Sequence, residues 1–164
     1  MDYYESVVVN YLRTDRAIFL NTECCVQLNQ AKNPDTSGHH WYCDAVALDL
    51  RAEMVFLCEI SYAKQLPDLI KRLKGWHDHW ELVCHALNRD SFVPAHWPVR
   101  PWLFVPEELV SLLLKRLEQV RGAESLKYVP RITTLEMVQP WKYPAYNRVG
   151  EADKPASIPP DMKA

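Results

Sequence analysis

Glycine is scarce in this protein, with four glycines in 164 residues. The chain contains neither GxGxxG nor GxxxxGKS/T, so nucleotide binding through a glycine-rich phosphate loop has no support. It also lacks a run of 18 or more apolar residues, so we expect no segment that spans a membrane. The N-terminus carries acids early and has no basic n-region. We therefore expect no secretory signal and a cytoplasmic protein.

The charges and the cysteines exclude further classes of protein. A formal net charge of −2 excludes a uniformly basic nucleic-acid-binding surface, although it is compatible with a local basic patch. The odd number of five cysteines, with no CxxC spacing, argues against a disulfide framework and a zinc site. We expect reduced, buried thiols instead.

The order of the predicted elements indicates one α/β domain with a mixed sheet of about five strands flanked by helices. Residues 1–138 are expected to form this domain, and the Pro-rich residues 139–164 a tail without regular periodicity. The predicted elements are a helix at Asp2–Leu12, a strand at Ala17–Leu28, two strands within Trp41–Ser61, a helix at Pro67–Leu87, a strand at Trp102–Val105, a helix at Pro106–Val120 and a strand within Leu126–Val138.

The segment WYCDAVALDLRAEMVFLCEIS, residues 41–61, carries one carboxylate in each of its two apolar strands. If the turn is centred between Arg51 and Ala52, positions whose numbers sum to 103 pair across the hairpin. Asp44 then lies directly opposite Glu59, with the two Cβ atoms about 5 Å apart. Both acids lie on the face that Val46 shares with Leu57. Like charges in this arrangement repel.

Two facing acids among apolar neighbours need compensation, and three kinds are compatible with the sequence. A divalent cation, a nearby Lys or Arg, or one retained proton could each supply it. Mg²⁺ favours one or two carboxylates together with waters and substrate phosphates. Alternatively, the two acids are strand-end residues that reach water or pair with Lys64 or Arg72.

The order helix, three strands, helix, strand, with Asp44 on the second strand and Glu59 on the third, resembles the PD-(D/E)xK nuclease superfamily, which has the restriction-endonuclease-like fold. The resemblance covers about residues 2–138, and its motif content is Asp44 followed by Glu59-Ile60-Ser61. It implies that Asp44 and Glu59 hold Mg²⁺ or Mn²⁺. An acid of the first helix often assists in holding the metal in this superfamily, and Glu5 is the candidate here.

One residue departs from the pattern of the superfamily. The Lys that usually stands two residues after the Glu is replaced by Ser61, which can hydrogen-bond but cannot carry positive charge. Some members place the basic group elsewhere, and the candidates in this chain are Lys64, Lys71 and Arg72. Arg72 flanks the apolar face of its predicted helix, whereas Lys71 points nearly away from it, so Arg72 is the better geometric candidate.

The resemblance implies metal-assisted hydrolysis of phosphodiester bonds, with nucleic acid, DNA rather than RNA, as the partner. Arg13, Arg16, Lys71, Arg72 and Lys74 are candidates for contacts to backbone phosphates, although such basic runs are more often a solvated helix face. A homodimer is plausible from the resemblance alone.

Two other classes of function stay open at the level of sequence. The first is a catalytically inactive nuclease-fold module that binds nucleic acid or a protein partner, which the replacement of the Lys by Ser61 favours. The second is a thiol or histidine enzyme that pairs Cys25 or Cys43 with a histidine. Nothing in the sequence fixes the proximity of these side chains.

Overall fold

The computed structural model describes residues 2–28 and 40–143, which form a mixed α/β fold. The order of elements agrees with the sequence prediction except that one predicted helix is two. The elements are α1 at Tyr3–Arg13, β1 at Ile18–Gln27, β2 at His40–Asp49, β3 at Met54–Ile60, α2 at Pro67–Asp78, α3 at Trp80–Ser91, β4 at Val99–Val105, α4 at Val110–Arg121 and β5 at Arg131–Thr134. Short 3-10 helices lie at Glu107–Leu109 and Pro140–Lys142.

The five strands form one mixed sheet in the order β1-β2-β3-β4-β5. The first three strands are an antiparallel meander, and β4 and β5 add in parallel to β3. The parallel strands are connected by helices, as their geometry requires. The carboxyl ends of β3, β4 and β5 therefore lie at one edge of the sheet.

Helices cover both faces of this sheet. Val8, Leu12 and their neighbours on α1 pack with Phe56 and Trp102 on one face. Helices α2, α3 and α4 cover the other face, and their buried residues include Leu73, Val83 and Leu113. The strand β3 lies at the centre and is buried on both sides, which accounts for the unbroken apolar run from Met54 to Cys58.

The N-cap of α1 is Asp2, the residue at which the sequence predicts the first helix to begin. The carboxylate of Asp2 accepts a hydrogen bond from the backbone N–H of Glu5, and the carboxylate of Glu5 accepts one from the N–H of Asp2, each at 2.8 Å. This capping box satisfies two backbone donors that the first turn of a helix otherwise leaves unpaired. It also fixes where Glu5 lies relative to the end of the sheet.

The predicted hairpin register is confirmed for the residues that pair in the ladder. Val46 lies opposite Leu57 and Leu48 opposite Val55, so each pair sums to 103. The ladder, however, begins at Ala45 and Cys58, one position before Asp44 and Glu59. The two acids are therefore not a regular cross-strand pair, because β2 separates from β3 at this position.

Strict alternation is also interrupted here. Ile18 and Ala47 pack on the α1 side of the sheet, whereas Cys24 and Cys43, which alternation would place with them, pack on the α2 side. Between these positions Glu23 has a positive φ of 53°, and neither Glu23 nor Asp44 has a partner in the β1–β2 ladder. The alternation that would place Asp44 on the face of Val46 and Leu48 therefore does not continue regularly through this position, because the faces reverse between Cys43 and Ala45.

The predicted single helix at Pro67–Leu87 is wrong in one respect. It is two helices that meet at His79, whose φ of −127° and ψ of 27° are not helical. The break contains neither Gly nor Pro, so the sequence gives no signal for it. Leu69, Trp76 and Leu87, which belong to the apolar face of the predicted helix, are nevertheless all buried in the core.

One smaller difference concerns the C-terminal half. The strand predicted at Trp102–Val105 begins earlier, at Val99, and contains Pro101 at a position that precedes the first pair with β5. The strand predicted within Leu126–Val138 is β5, which lies at one edge of the sheet. Most of the predicted tail, residues 144–164, lies outside the described residues, while Tyr143 is buried against Tyr11.

Candidate functional site

Glu59 lies near the carboxyl end of β3 and is only 4 % exposed. One nitrogen of Arg72, Nη1, donates to both of its carboxylate oxygens, at 2.7 and 2.8 Å. The pKa of Glu59 is raised from 4.5 to about 8, chiefly by burial and next by the charge of Asp44, and Arg72 acts in the opposite direction. Glu59 therefore holds a proton more readily than an ordinary glutamate does.

Asp44 occupies the gap that opens between β2 and β3. Its Oδ2 accepts a hydrogen bond of 2.7 Å from the backbone N–H of Ile60, which would otherwise lack a partner on β2. Glu59 in turn accepts a hydrogen bond from the backbone of Asp44. The two acids are thus held together by their own strands. Burial, the largest cause, raises the pKa of Asp44 as well.

Arg72 is the cation of this site. It projects from α2, its side chain is 28 % exposed, and it also donates to the backbone carbonyl of Tyr42 on β2. It therefore bridges β2 and β3 where the ladder between them has ended. The charges of Glu59 and Asp44 both favour its protonated form. Of the basic residues that the sequence offers in place of the usual Lys, Arg72 is the one that contacts an acid of the pair.

A cavity of about 360 Å³ lies beside the acids and between the two helical layers. Asp44 and Arg72 line it from the sheet and from α2, and Glu5 lines it from the first turn of α1. The negative charge of Glu5 is among the causes that raise the pKa of Asp44. Glu5, Asp44 and Arg72, which the sequence selects from different parts of the chain, therefore line one cavity. Glu59 is not part of the lining but contacts Arg72.

Glu23 also lines this cavity, and the sequence gives no reason to select it. Before and after Glu23, most of the apolar residues of this strand stand at even-numbered positions, so the sequence predicts one uninterrupted alternation. Only the structure reveals that the strand turns over at Glu23, where φ is positive. A non-glycine residue in this conformation is uncommon, and such residues concentrate at functional sites.

The remaining catalytic candidates lie further from the acids. Ser61 directly follows β3, and its backbone N–H donates to the carbonyl of Phe104 on β4. Lys64 is exposed in the turn before α2, and neither residue lines the cavity. The expectation that Lys64 could serve because it is close in sequence finds no contact to Asp44 or Glu59.

The candidate phosphate-binding residues separate into two groups. Lys71 and Lys74 are exposed on α2, the helix that carries Arg72, and Lys74 pairs with Asp78. Arg13 is in the last turn of α1, about 12 Å along the helix axis from Glu5. Arg16 lies just before β1 and is likewise at the hairpin-turn end of the sheet. The structure therefore does not bring Arg13 and Arg16 to the acids.

The thiol or histidine alternative receives no support from the cysteine in this region. Cys43 is buried, and burial raises the pKa of its thiol well above the ordinary value, with the charge of Glu59 next in importance. A thiolate is therefore disfavoured at neutral pH. His77 is buried as well and accepts a hydrogen bond from the backbone N–H of Lys127.

The donor set fits a hard divalent cation better than a soft one. Asp44 and Glu59 offer carboxylate oxygens, and the cavity beside them has room for waters. Within residues 2–28 and 40–143, no three His, Cys, Asp or Glu side chains converge as the ligands of a metal ion do. Mg²⁺ does not require three, because it keeps several waters and commonly uses one or two carboxylates.

Comparison with protein-family models, with curated proteins and with solved structures finds no match for this chain. The function must therefore be argued from the site itself. None of the helices in the described part of the chain has the length and apolar character needed to cross a lipid bilayer.

Proposed function

We propose that this protein is a metal-dependent nuclease with a restriction-endonuclease-like core, and that it hydrolyses phosphodiester bonds in nucleic acid. The observation that carries the proposal is the convergence of Asp44 and Glu59 where β2 separates from β3. Their raised pKa values mean that both carboxylates are held against an electrostatic cost. Paired acids with shifted pKa values beside a cavity are characteristic of functional sites.

The fold supports the same proposal. A helix is followed by an antiparallel meander of three strands, and β4 then adds in parallel after a helical connection. This order of elements, with one acid on the second strand and one on the third, is the feature in which the chain resembles the PD-(D/E)xK nuclease superfamily. The division of the long helix into α2 and α3 leaves the order of strands unchanged.

Asp44 and Glu59 would hold Mg²⁺ or Mn²⁺, and Glu5 would act on a water in the cavity rather than as a direct ligand. The bound ion would supply a Lewis acid that polarises a phosphoryl oxygen and lowers the pKa of a water. Binding requires Glu59 to lose its proton, so metal affinity is coupled to pH. The side chain of Glu59 must also share its oxygens with Arg72 or release them.

Arg72 takes the position of the missing Lys in this proposal. Its guanidinium is always charged and has donors besides Nη1, so it can turn from Glu59 towards a phosphate at the cavity. Lys71 and Lys74 extend the same positive surface along α2 and would contact phosphates further along the strand. Ser61 contributes no charge.

A second candidate function rests on the same contact. Because Nη1 of Arg72 reaches both oxygens of Glu59, the guanidinium already neutralises the acid that a metal ion would use. The protein would then be an inactive module of the same fold, with the Arg72–Glu59 pair as a structural replacement for the ion. Such a module would bind nucleic acid or a protein partner without hydrolysis.

The deciding experiment measures metal binding and cleavage on the same samples. Mg²⁺ and Mn²⁺ are titrated calorimetrically into the wild type and into Asp44→Asn, and plasmid DNA, single-stranded DNA and RNA are assayed for cleavage. We expect metal binding and cleavage in the wild type, and a loss of cleavage of at least about 100-fold in Asp44→Asn, because a ligand to the Lewis acid is removed.

Asp49→Asn is the matched control. Asp49 lies on the same strand, and its Oδ1 accepts hydrogen bonds from the N–H groups of Arg51 and Ala52 in the turn, which the amide oxygen of Asn can still accept. This variant should bind metal and cleave as the wild type does. Wild-type protein that binds neither ion, or an Asp44→Asn variant with unchanged cleavage, would refute the nuclease proposal. Binding of nucleic acid without metal binding would favour the inactive module.

A further inference from the structure

A second and larger concave surface lies at the carboxyl ends of the three parallel strands. It has a volume of about 1040 Å³, and residues that follow each of the three strands line it. Tyr62 follows β3, Glu107 follows β4 and Glu136 follows β5, while Tyr4 approaches from α1. We call this surface the aromatic groove. In open α/β sheets, the crevice outside the carboxyl ends of the strands is where ligands characteristically bind.

Aromatic side chains are unusually exposed around this groove. Trp141 is 77 % exposed, Tyr62 is 49 % exposed, and the rings of Tyr4 and Tyr62 lie 4.6 Å apart. Tyr62 is held in place because its hydroxyl donates to the carboxylate of Asp2 at 3.0 Å. Exposed, ordered aromatic rings offer a large contact area at a low cost in conformational entropy, which is typical of binding surfaces.

The charges of the groove select the chemistry of its occupant. Glu107, Glu108 and Glu136 line it and are all exposed, against Lys142 as a cation of the lining. The backbone N–H of Glu107 donates to the carboxylate of Glu136 at 2.9 Å, which holds two of these acids close together. Such a field attracts positive charge and repels the phosphates of nucleic acid.

Aromatic faces and carboxylates together recognise ammonium and guanidinium groups, through cation–π contacts and ion pairs. The volume of the groove exceeds what one such group fills, and its lining extends from the first helix to the residues after β5. A peptide segment that carries several Lys or Arg side chains matches both the size and the charge.

We propose that the aromatic groove is the docking site for a lysine- or arginine-rich segment of a partner protein. This interaction is distinct from the proposed nuclease function and does not depend on it. The basic surface of α2 and the acidic groove would then receive different partners, nucleic acid at the first and a basic peptide at the second.

Fluorescence polarisation with full-length protein tests the proposal. The probes are a short labelled peptide of alternating lysine and alanine, the same peptide with glutamate in place of lysine, and a labelled single-stranded DNA. We expect the lysine peptide to bind at low salt with a Kd below about 1 mM, to weaken as salt is added, and to bind much more tightly than the glutamate peptide.

Three variants locate the binding. Glu107→Lys combined with Glu108→Lys should weaken the lysine peptide at least about 10-fold, because attraction becomes repulsion. Trp141→Ala should weaken it about 10-fold through loss of the aromatic contact. Glu118→Lys combined with Glu124→Lys, at two exposed positions outside the groove lining, makes the same change of charge as the first variant and should leave the affinity unchanged.

Three results would overturn the proposal. The first is failure of the wild type to bind the lysine peptide, and the second is equal affinity in the wild type and the double charge reversal. The third is binding of the single-stranded DNA that Trp141→Ala abolishes, since the groove would then be a base-stacking surface. All substituted residues are exposed, so circular dichroism spectra should remain those of the wild type.

Discussion

A buried carboxylate pairs with an arginine near each end of the β2–β3 hairpin, but the two pairs differ in their hydrogen-bond geometry and in the charges around them. At the turn end, two nitrogens of Arg51 donate to the two oxygens of Asp15, at 3.2 and 3.0 Å, and Asp15 also accepts from the N–H of Ala17. At the opposite end, a single nitrogen of Arg72 serves both oxygens of Glu59, and a second acid is close by.

This difference supports the site proposed at Asp44 and Glu59. The Asp15–Arg51 pair has the parallel, bidentate geometry that gives a strong and specific contact, and its arginine is half-exposed to solvent. The Arg72–Glu59 pair has poorer geometry, is less exposed and carries an excess of negative charge. Natural proteins keep such unresolved electrostatic conflicts mainly where function requires them.

The largest expected effect on stability distinguishes the two arginines. Arg72→Met should lower the free energy of unfolding by about 3 kcal/mol at pH 9, above the pKa of Glu59, because it leaves a buried and ionised acid without its cation. Arg51→Met should lower it less, since water can replace an exposed guanidinium. Urea denaturation followed by circular dichroism measures both. Equal losses in the two variants would contradict the comparison.

We expect stability to depend on pH mainly through Glu59, at the end of the hairpin opposite the turn. Between about pH 4.5 and 8, folded Glu59 holds more protons than unfolded Glu59 does, because its folded pKa is the higher one. The free energy of unfolding should therefore fall as pH rises, by up to about 1.4 kcal/mol per pH unit near pH 6. Urea denaturation in EDTA at pH 5, 6, 7 and 8 measures this slope.

Glu59→Gln should remove most of this dependence, because the amide does not titrate. The small slope that remains should have the same sign, since the pKa of Asp44 is also raised. Exposed Glu118→Gln serves as the control and should retain the wild-type slope. A Glu59→Gln variant with the full slope would assign the effect to other groups.

The smallest expected effects concern two glutamates with positive φ, one on β1 and one in the turn between β2 and β3. Glu23 has φ of 53° at the cavity and Glu53 has φ of 51° in the turn. Glycine adopts this conformation without the steric cost of a Cβ, which exceeds the entropy it loses on folding. Glu23→Gly and Glu53→Gly should each raise the free energy of unfolding by about 0.5 to 1 kcal/mol.

Thermal and urea denaturation of the two glycine variants sharpen the comparison further. A gain at Glu53 with a loss at Glu23 would mean that the Glu23 side chain itself stabilises the irregular region between β1 and β2. A gain at both positions would mean that the chain tolerates strain at Glu23, as expected where a carboxylate is retained for function.

Much of the fold could be predicted because its signals are local. The alternation of Val46, Leu48, Val55 and Leu57 specifies the register of the hairpin, since a slip of one residue would expose the whole apolar set. Asp2, a residue type that N-cap positions favour, likewise predicts the start of α1. The resemblance in element order selected Asp44, Glu59, Glu5 and Arg72, which the structure brings to one region.

Other features could not be predicted because they arise from contacts between distant segments. The reversal of faces at Glu23 occurs in a strand whose apolar residues never change parity, and the break at His79 contains no helix-breaking residue. The aromatic groove requires Tyr4, Tyr62 and Trp141 to meet, although they are separated by most of the chain.

The sequence by itself therefore determined the approximate positions of the strands and the register of the hairpin, because hydrophobic periodicity acts over a few residues. Those positions in turn selected Asp44 and Glu59 as a candidate pair. The tertiary structure alone decided that Arg72 rather than Lys64 reaches Glu59, that Arg13 and Arg16 lie at the other end of the sheet, and that burial raises the pKa of Glu59 to about 8. Each of these depends on how helices pack against the sheet, and burial and electrostatic coupling exist only once that packing has formed.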